Sequence, residues 1–285
     1  MKRSEFRFLE RLRVRWAEID QQKIVFNGHY LMYFDTAITG YWRALALPYA
    51  QTLERLEGDL FVRKTTLEYE GSARLDDLLD VGIRCVRIGT SSMTFAAGVF
   101  RAEELLVSGE IVYVFADPRT QSSKPVPPAL RAVLEDFEAG AKLVDVRVGS
   151  WGDLGRDAQA VRSAVFIEEQ KIPAQLEWDE ADDTGLHAVA VNRFGVPLAT
   201  GRLLATAPGV GKIGRMAVLQ AVRGSRIGSA VLDALMQAAR ARGDREVMLY
   251  AQLSAAPFYV RAGFSERGEV FDEAGIPHIE MVRRW

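Results

Sequence analysis

A chain of 285 residues exceeds the usual single domain, so the sequence predicts two. Hydrophobic residues make up 48% and charged residues 26%, enough for full cores, while a net charge of -2 removes the electrostatic case for nucleic acid or an anionic membrane. One cysteine, Cys85, excludes an internal disulfide and a cysteine cluster, and the scattered His29, His187 and His278 give no histidine-rich metal site. The first residues are charged throughout, and no run approaches the roughly 18 apolar residues of a membrane span. A cytoplasmic protein without metal or prosthetic group is expected.

Residues Phe6–Trp16 alternate loosely and predict a strand that leads into a loop carrying Asp20. Tyr30, Phe34, Ala37, Ile38, Tyr41, Trp42 and Leu45 recur at steps of three and four, the pattern of one broad apolar helix face. Asn27 occupies the expected N-cap and Pro48 the expected stop. An acid on the loop before a helix N-terminus, beside free N–H donors, suits attack on a carbonyl. Taken alone, Asp20 reads more readily as a solvated loop acid. Strands are predicted at 60–69, 79–88, 92–100 and 105–115, then a short helix from Pro128 to about Phe137. Glu138–Lys142 is the candidate linker, which places the domains at 1–140 and 141–285. The fold class is α+β, a helix covered by an antiparallel meander followed by an α/β half.

The second half predicts a strand at 144–149, a helix from about Asp153 to Gln170, and a hairpin across Arg193-Phe-Gly195. A strand at 212–219 runs into Arg223-Gly-Ser-Arg-Ile-Gly228-Ser229 and an amphipathic helix closed by Gly243. A strand, a glycine-bearing loop and a helix start form an anion cradle. A buried-type strand at 246–252, a short helix at 255–262 and two further strands complete the chain.

These residues carry two resemblances. Asp20-x-x-x-Ile24-Val25-Phe26-Asn27-x-x-Tyr30, with Tyr33-Phe34-Asp35 behind it, resembles the hotdog-fold acyl-CoA thioesterases of the 4-hydroxybenzoyl-CoA thioesterase type across about residues 8–135. Leu67-Glu-Tyr69, Ala73–Asp76 and Arg87-Ile-Gly-Thr-Ser-Ser92 add to it. The resemblance implies Asp20 as nucleophile or general base and the Asn27 N–H as the donor that polarises the thioester carbonyl. It also implies a homodimer or higher oligomer, since such sites lie between two copies. The family commonly has glycine where Lys23 stands, and a side chain there is expected to alter the loop.

Residues 143–285 resemble the GNAT superfamily of acyl-CoA-dependent acyltransferases. The motifs are Arg215-Met-Ala-Val-Leu219, Arg223-Gly224-x-x-x-Gly228, Leu249-Tyr-Ala-Gln252 and Ala256-Pro-Phe-Tyr259-Val-Arg-Ala-Gly263-Phe264. Arg162 to Pro173, with Glu177 and Asp179, is similar to the ElaA-like branch. The resemblance implies that backbone groups of Met216 and Val218 hold the pantetheine arm. Arg223, Gly224, Ser225, Arg226, Ile227, Gly228 and Ser229 would then form the pyrophosphate loop. Tyr259 would be the acid that protonates the leaving thiolate, although a packed aromatic beside Phe258 explains it as well. Arg226 stands where a glycine is usual, and either crowds the pyrophosphate or points outward to pair with it. Glu168, Glu169, Glu177, Asp179 and Glu280 are all candidate bases, with nothing to choose between them.

The two resemblances together imply a bifunctional enzyme that hydrolyses acyl-CoA thioesters and transfers an acyl group from acyl-CoA to an amine. Coenzyme A thioesters are the expected substrates. Two alternatives remain open: a thioesterase whose second half only binds acyl-CoA or regulates, and a non-catalytic acyl-CoA-sensing assembly protein.

Overall fold

The computed structural model describes residues 1–273 and 275–285. The chain divides into two compact units, Met1–Leu143 and Val144–Trp285, each with its own sheet.

The first unit runs β1 (Phe8–Arg13), α1 (His29–Ala44), α2 (Tyr49–Arg55), β2 (Asp59–Tyr69), β3 (Leu78–Ile88), β4 (Ser92–Arg101), β5 (Glu104–Ala116) and α3 (Pro128–Glu138). Its strands order as β1-β3-β4-β5-β2, antiparallel throughout, and wrap a single central helix in the hotdog arrangement. The seven apolar positions predicted for α1 are all buried. Gly109 on β5 lets α1 sit close, because a Cβ there would lie 2.6 Å from Phe34 Cε2 and 2.8 Å from the Thr66 carbonyl.

Three expectations are corrected here. Asn27 is not the N-cap: His29 N–H bonds the Phe26 carbonyl at 2.9 Å, so the chain turns once more and Gly28 takes the cap. Nor does Pro48 end the helix. The chain leaves it after Ala44, and Pro48 instead caps α2, a helix too short to show a period. Glu138 is no linker residue, since its Oε1 accepts the Tyr41 O–H at 2.6 Å and the Cys85 N–H at 2.9 Å. That carboxylate and burial push the Tyr41 hydroxyl far up, and burial followed by Glu138 pushes the Cys85 thiol to about 12.

The second unit runs β6 (Val144–Gly149), α4 (Trp151–Arg162), α5 (Ala174–Glu177), α6 (Ala181–Thr184), β7 (Leu186–Asn192), β8 (Pro197–Ala207), β9 (Val210–Val218), α7 (Ile227–Arg242), β10 (Glu246–Gln252), α8 (Ala256–Arg261), β11 (Ser265–Glu273) and β12 (Ile276–Arg284). The strand order is β6-β7-β8-β9-β10-β12-β11. Among the described residues only β9 and β10 run parallel, and they pair over three positions, from Glu246↔Val210 to Met248↔Lys212. Beyond that point the strands part, which is the splayed sheet of the GNAT fold.

The helix expected over 153–170 starts earlier and changes character. Ser150 and Asp153 form a capping box at the start of α4. After Arg162 the chain continues as a π-helical turn, Ser163–Glu169, in which the Gln170 N–H reaches back to Val165. Among the described residues no helix is long and apolar enough to cross a membrane.

Gly109→Ala is expected to cost about 1–3 kcal/mol, because both Phe34 and the Thr66 backbone must give way. Lost hydrogen-exchange protection across α1, with protection across α7 retained, is the predicted reading. Equal protection in variant and parent would show that Phe34 can move aside freely.

Candidate active sites

In the first unit the residues from Glu18 to Phe26 fold back on themselves. Ile19 bridges Val25, Phe26 N–H bonds the Glu18 carbonyl at 2.9 Å, and Asp20 N–H bonds the Ile24 carbonyl at 2.9 Å. Asp20 therefore sits at the tip of a small hairpin and Asn27 at its base, where the chain enters α1. The Asp20 carboxylate accepts one bond from the chain, the Gln22 N–H at 2.8 Å. Its remaining lone pairs are open to a substrate or water.

Lys23 closes this hairpin with φ 62°, and its N–H reaches the Asp20 carbonyl at 3.0 Å. It thus adopts the left-handed conformation that glycine would supply, so replacing the glycine leaves the turn in place. Among the described residues neither the Asn27 nor the Gly28 N–H has a hydrogen-bond acceptor. Asn27 C=O accepts Tyr30 N–H at 3.4 Å and the Tyr69 O–H at 3.4 Å, which fixes the peptide of the Gly28 N–H, and Phe26 C=O, in the peptide of the Asn27 N–H, accepts His29 N–H at 2.9 Å.

The hairpin is tied down by a residue that the sequence reading passed over. Glu18 is buried, and its carboxylate accepts the Tyr33 O–H at 2.7 Å, the Arg15 N–H at 2.8 Å and Arg15 Nε at 2.7 Å. Burial alone would raise its pKa, but these donors hold it below the ordinary carboxylate range. Tyr33 lies on α1 fifteen residues further on, so no local pattern announces the pair. Val25 N–H bonds the Ala73 carbonyl at 2.9 Å, and Ala73 N–H donates to the Tyr30 hydroxyl at 3.0 Å, a second tether.

In the second unit the parting of β9 and β10 opens a cleft of about 1590 Å³. Met216, Val218, Arg223, Gly224, Arg226, Ile227, Gly228, Ser229 and Tyr259 all line it. Leu219 N–H bonds the Leu198 carbonyl on β8 at 2.9 Å, so alternation turns the Val218 and Met216 N–H groups the other way, into the wedge. A bulge at Arg215, with φ 53°, separates them from the regular ladder below.

At the mouth of the cleft the chain enters α7. Among the described residues the N–H groups of Gly224, Arg226, Ile227, Gly228 and Ser229 have no acceptor, and together they form an anion cradle. Ser225 stands outside it, since its N–H and its hydroxyl both bond the Val222 carbonyl, at 3.4 and 2.6 Å. Arg226 is left-handed with φ 65°, again the backbone a glycine would take. Gly228 allows a close approach, because a Cβ there would lie 3.1 Å from Val218 Cγ2. The Arg223 guanidinium is spent on Glu169, at 2.7 and 2.6 Å, and on the Val218 carbonyl at 3.0 Å.

Tyr259 is buried among Phe258 and Phe264, and burial pushes its hydroxyl up to about 12. The hydroxyl stays protonated through neutral pH and has no hydrogen-bond partner among the described residues. Of the acids considered as bases, Glu177 and Asp179 are held by Arg162, Arg202 and Arg215, Glu169 by Arg223, and Glu280 by Arg267. His278 also lines the cleft; its Nδ1–H bonds the Ile276 carbonyl at 2.8 Å, and among the described residues its Nε2 has no partner.

The structure is thus a hotdog unit with an acid-tipped hairpin, followed by a unit with the splayed sheet and N–H cradle of the GNAT fold. The comparisons agree on both halves. Residues 22–108 match the description "Thioesterase superfamily" and residues 157–284 match "Acetyltransferase (GNAT) domain". The uncharacterized N-acetyltransferase YjcF of Bacillus subtilis is 36% identical over 45% of this chain and 91% of its own length. Protein ElaA of Escherichia coli is 32% identical over 43% of this chain and 82% of its own length. The acyl-CoA thioester hydrolase YbgC of Escherichia coli is 27% identical over 42% of this chain and 90% of its own length. The chain belongs to the GNAT acetyltransferase family through its second half and carries a thioesterase-superfamily hotdog domain in its first.

Lys23→Gly and Arg226→Gly should each raise stability by about 0.5–1 kcal/mol, the left-handed penalty less the entropy that glycine adds to the unfolded chain. A higher thermal midpoint is expected, and a lower one would show that the two side chains hold their loops by contact. Glu18→Gln is expected to cost about 1–3 kcal/mol at pH 7. Because the folded pKa of Glu18 is depressed, that contribution is present above its unfolded value of about 4.3 and fades as the pH falls below it. Variant and parent should therefore converge in acid denaturation.

Proposed function

We propose that the protein is a bifunctional acyl-CoA enzyme, hydrolysing acyl-CoA thioesters at Asp20 and transferring an acyl group to an amine in the second cleft. The observation that carries this reading is that each candidate site couples unpaired main-chain N–H groups to one open side chain. In the first unit the side chain is the Asp20 carboxylate, and in the second it is the Tyr259 hydroxyl.

For hydrolysis, the Asn27 N–H polarises the thioester carbonyl and Asp20 attacks it or takes a proton from water. The oxyanion that forms needs such a donor, and losing one costs about 3–4 kcal/mol of barrier. For transfer, the cradle before α7 holds the pyrophosphate, and the Met216 and Val218 N–H groups align the pantetheine arm along β9. The acceptor amine attacks the carbonyl and loses its surplus proton to water, the C–S bond breaks, and Tyr259 gives its proton to the thiolate and is reprotonated from solvent. The left-handed conformations of Lys23 and Arg226 support intact loops at both sites, because each residue takes the backbone that a glycine would supply.

The hotdog unit would act as a dimer or higher oligomer. β2 is an edge strand with unpaired backbone groups, and Val62 and Tyr69 on it are 58% and 54% exposed. Sedimentation at micromolar concentration should find no monomer, and a purely monomeric protein would overturn the assembly.

Asp20→Ala should lower thiol release from a panel of aliphatic and aromatic acyl-CoAs by about 10²-fold or more. Tyr259→Phe should slow amine-dependent release of CoA from acetyl-CoA by about 10²-fold and leave its calorimetric affinity near that of the parent. Undiminished hydrolysis by Asp20→Ala would remove the first assignment. Acetyl-CoA that binds but is never turned over with any amine would leave the second half as a binding module.

A further inference from the structure

The inner end of the second cleft holds a cation that, among the described residues, has no ion-pair partner. Lys212 occupies the last position at which β9 and β10 pair, opposite Met248, so it stands where the wedge begins. Its Nζ lies 4.0 Å from the centroid of the Tyr250 ring. Among the described residues it makes no hydrogen bond and no ion pair. Burial lowers its pKa, as do Arg202 and Arg215 nearby, while Glu273 and Glu280 act in the other direction.

The charges around it are already spent. Arg202 is bound by Asp179 and Asp182, at 2.5 and 2.7 Å, and Arg215 by Asp179 at 3.0 Å and Glu177 at 3.5 Å. Arg267 engages Glu280. Glu273 is on the exposed rim, and among the described residues no ion pair joins it to Lys212.

Beside this cation the floor is open. On β8, Leu204 pairs with Lys212 and Arg202 pairs with Gly214, so Lys212 and Gly214 point to the same face two residues apart. A Cβ built at Gly214 meets nothing within 4 Å. Its φ is not positive, so the backbone does not require glycine there. A glycine inside a strand weakens it, and it recurs where a ligand must come close.

We propose that this inner end is a carboxylate-binding subsite, in which Lys212 takes the charge and Gly214 makes the room. The inference rests on the transferase reading for its placement at the acyl end of bound acyl-CoA. The phosphates of coenzyme A are accounted for at the opposite end, since Val218 and Lys212 are separated by roughly 20 Å of strand. A neutral group at Lys212 leaves a half-buried ammonium unpaired, and an ammonium group there is repelled. A carboxylate gains a charge-assisted bond. It reaches the subsite from one of two sources, the far end of a dicarboxylic acyl group or the carboxylate of an amino-acid acceptor.

Matched ligands separate the sources. One arm compares succinyl-CoA with butyryl-CoA, by calorimetry and by CoA release. The other compares phenylalanine with 2-phenylethylamine as acceptor, in binding to the CoA-loaded protein and in turnover of acetyl-CoA. The parent should favour the carboxylate ligand about tenfold or more in one arm. Lys212→Met should bring that ratio close to one, Lys212→Arg should keep most of it, and Gly214→Val should weaken the carboxylate ligand by filling its place. Thermal midpoints of the three variants establish that they fold. Ratios near one for the parent in both arms, or a ratio that survives Lys212→Met, overturn the subsite. If no amine is ever acylated, the transferase reading fails while the calorimetric ratios still decide the subsite.

Discussion

The first N–H groups of a helix have no acceptor within it, and in each half of this chain such donors, unpaired among the described residues, adjoin an acid-tipped hairpin or a large cleft. Asn27 and Gly28 precede α1 with their N–H groups unanswered, and five residues before and within the first turn of α7 do the same. The outer half of β9 adds its own donors, because β10 leaves it after three paired positions. The cradle lies at the mouth of a large cleft, and the Asn27 donor follows a hairpin whose tip carries a carboxylate. Under the proposed function, the acceptor in each half is the oxygen of a ligand.

Holding those donors in place requires backbone that ordinary residues avoid. Lys23, Arg215 and Arg226 all have positive φ, and all three stand at the turn or bulge that aims an N–H group. Each pays about 1–2 kcal/mol for the left-handed conformation. The surroundings determine the shape more strongly than the residue resists it. In the first unit the Ile19–Val25 bridge and the Glu18–Tyr33 bond set the hairpin, and in the second the β8 ladder fixes the bulge. A side chain at a glycine position therefore changes the energy of the loop and not its geometry, which is why both motifs keep their form here.

Much of this was legible in the sequence where the signal is periodic or local. The apolar face of α1, the alternation of the strands and the order of the motifs around Arg223–Gly228 all follow from neighbours within a few residues. What could not be read depends on partners far along the chain. Glu138 looked like the start of a linker because nothing nearby calls for a carboxylate, yet it closes onto Tyr41 and Cys85. Glu18 and the π-helical turn after Arg162 escaped for the same reason. The first is defined by Tyr33 and the second by a shift in hydrogen bonding that leaves the apolar pattern unbroken. Among the site residues, Ser225 shows the limit of a motif: it lies between cradle residues in sequence, but its own turn consumes its N–H.

The wall of the second cleft poses a sharper electrostatic problem. Arg162 is 1% exposed, bonded to Glu177 at 2.5 Å and Asp182 at 2.7 Å, and lies over the rings of Trp151 and Trp178. Arg202 and Arg215 join the same carboxylates, so three arginines balance Glu177, Asp179 and Asp182. Burying such charges gains little net stability, and removing one partner costs about 3–5 kcal/mol. The return is positional. α5 and α6 are single-turn helices without cores of their own, and the network fixes them to β8 and β9 at chosen points. The six formal charges cancel, although Arg202 and Arg215 still act on Lys212 and lower its pKa. An electrostatic preference at the inner end then rests on the group left out of the balance, which is Lys212.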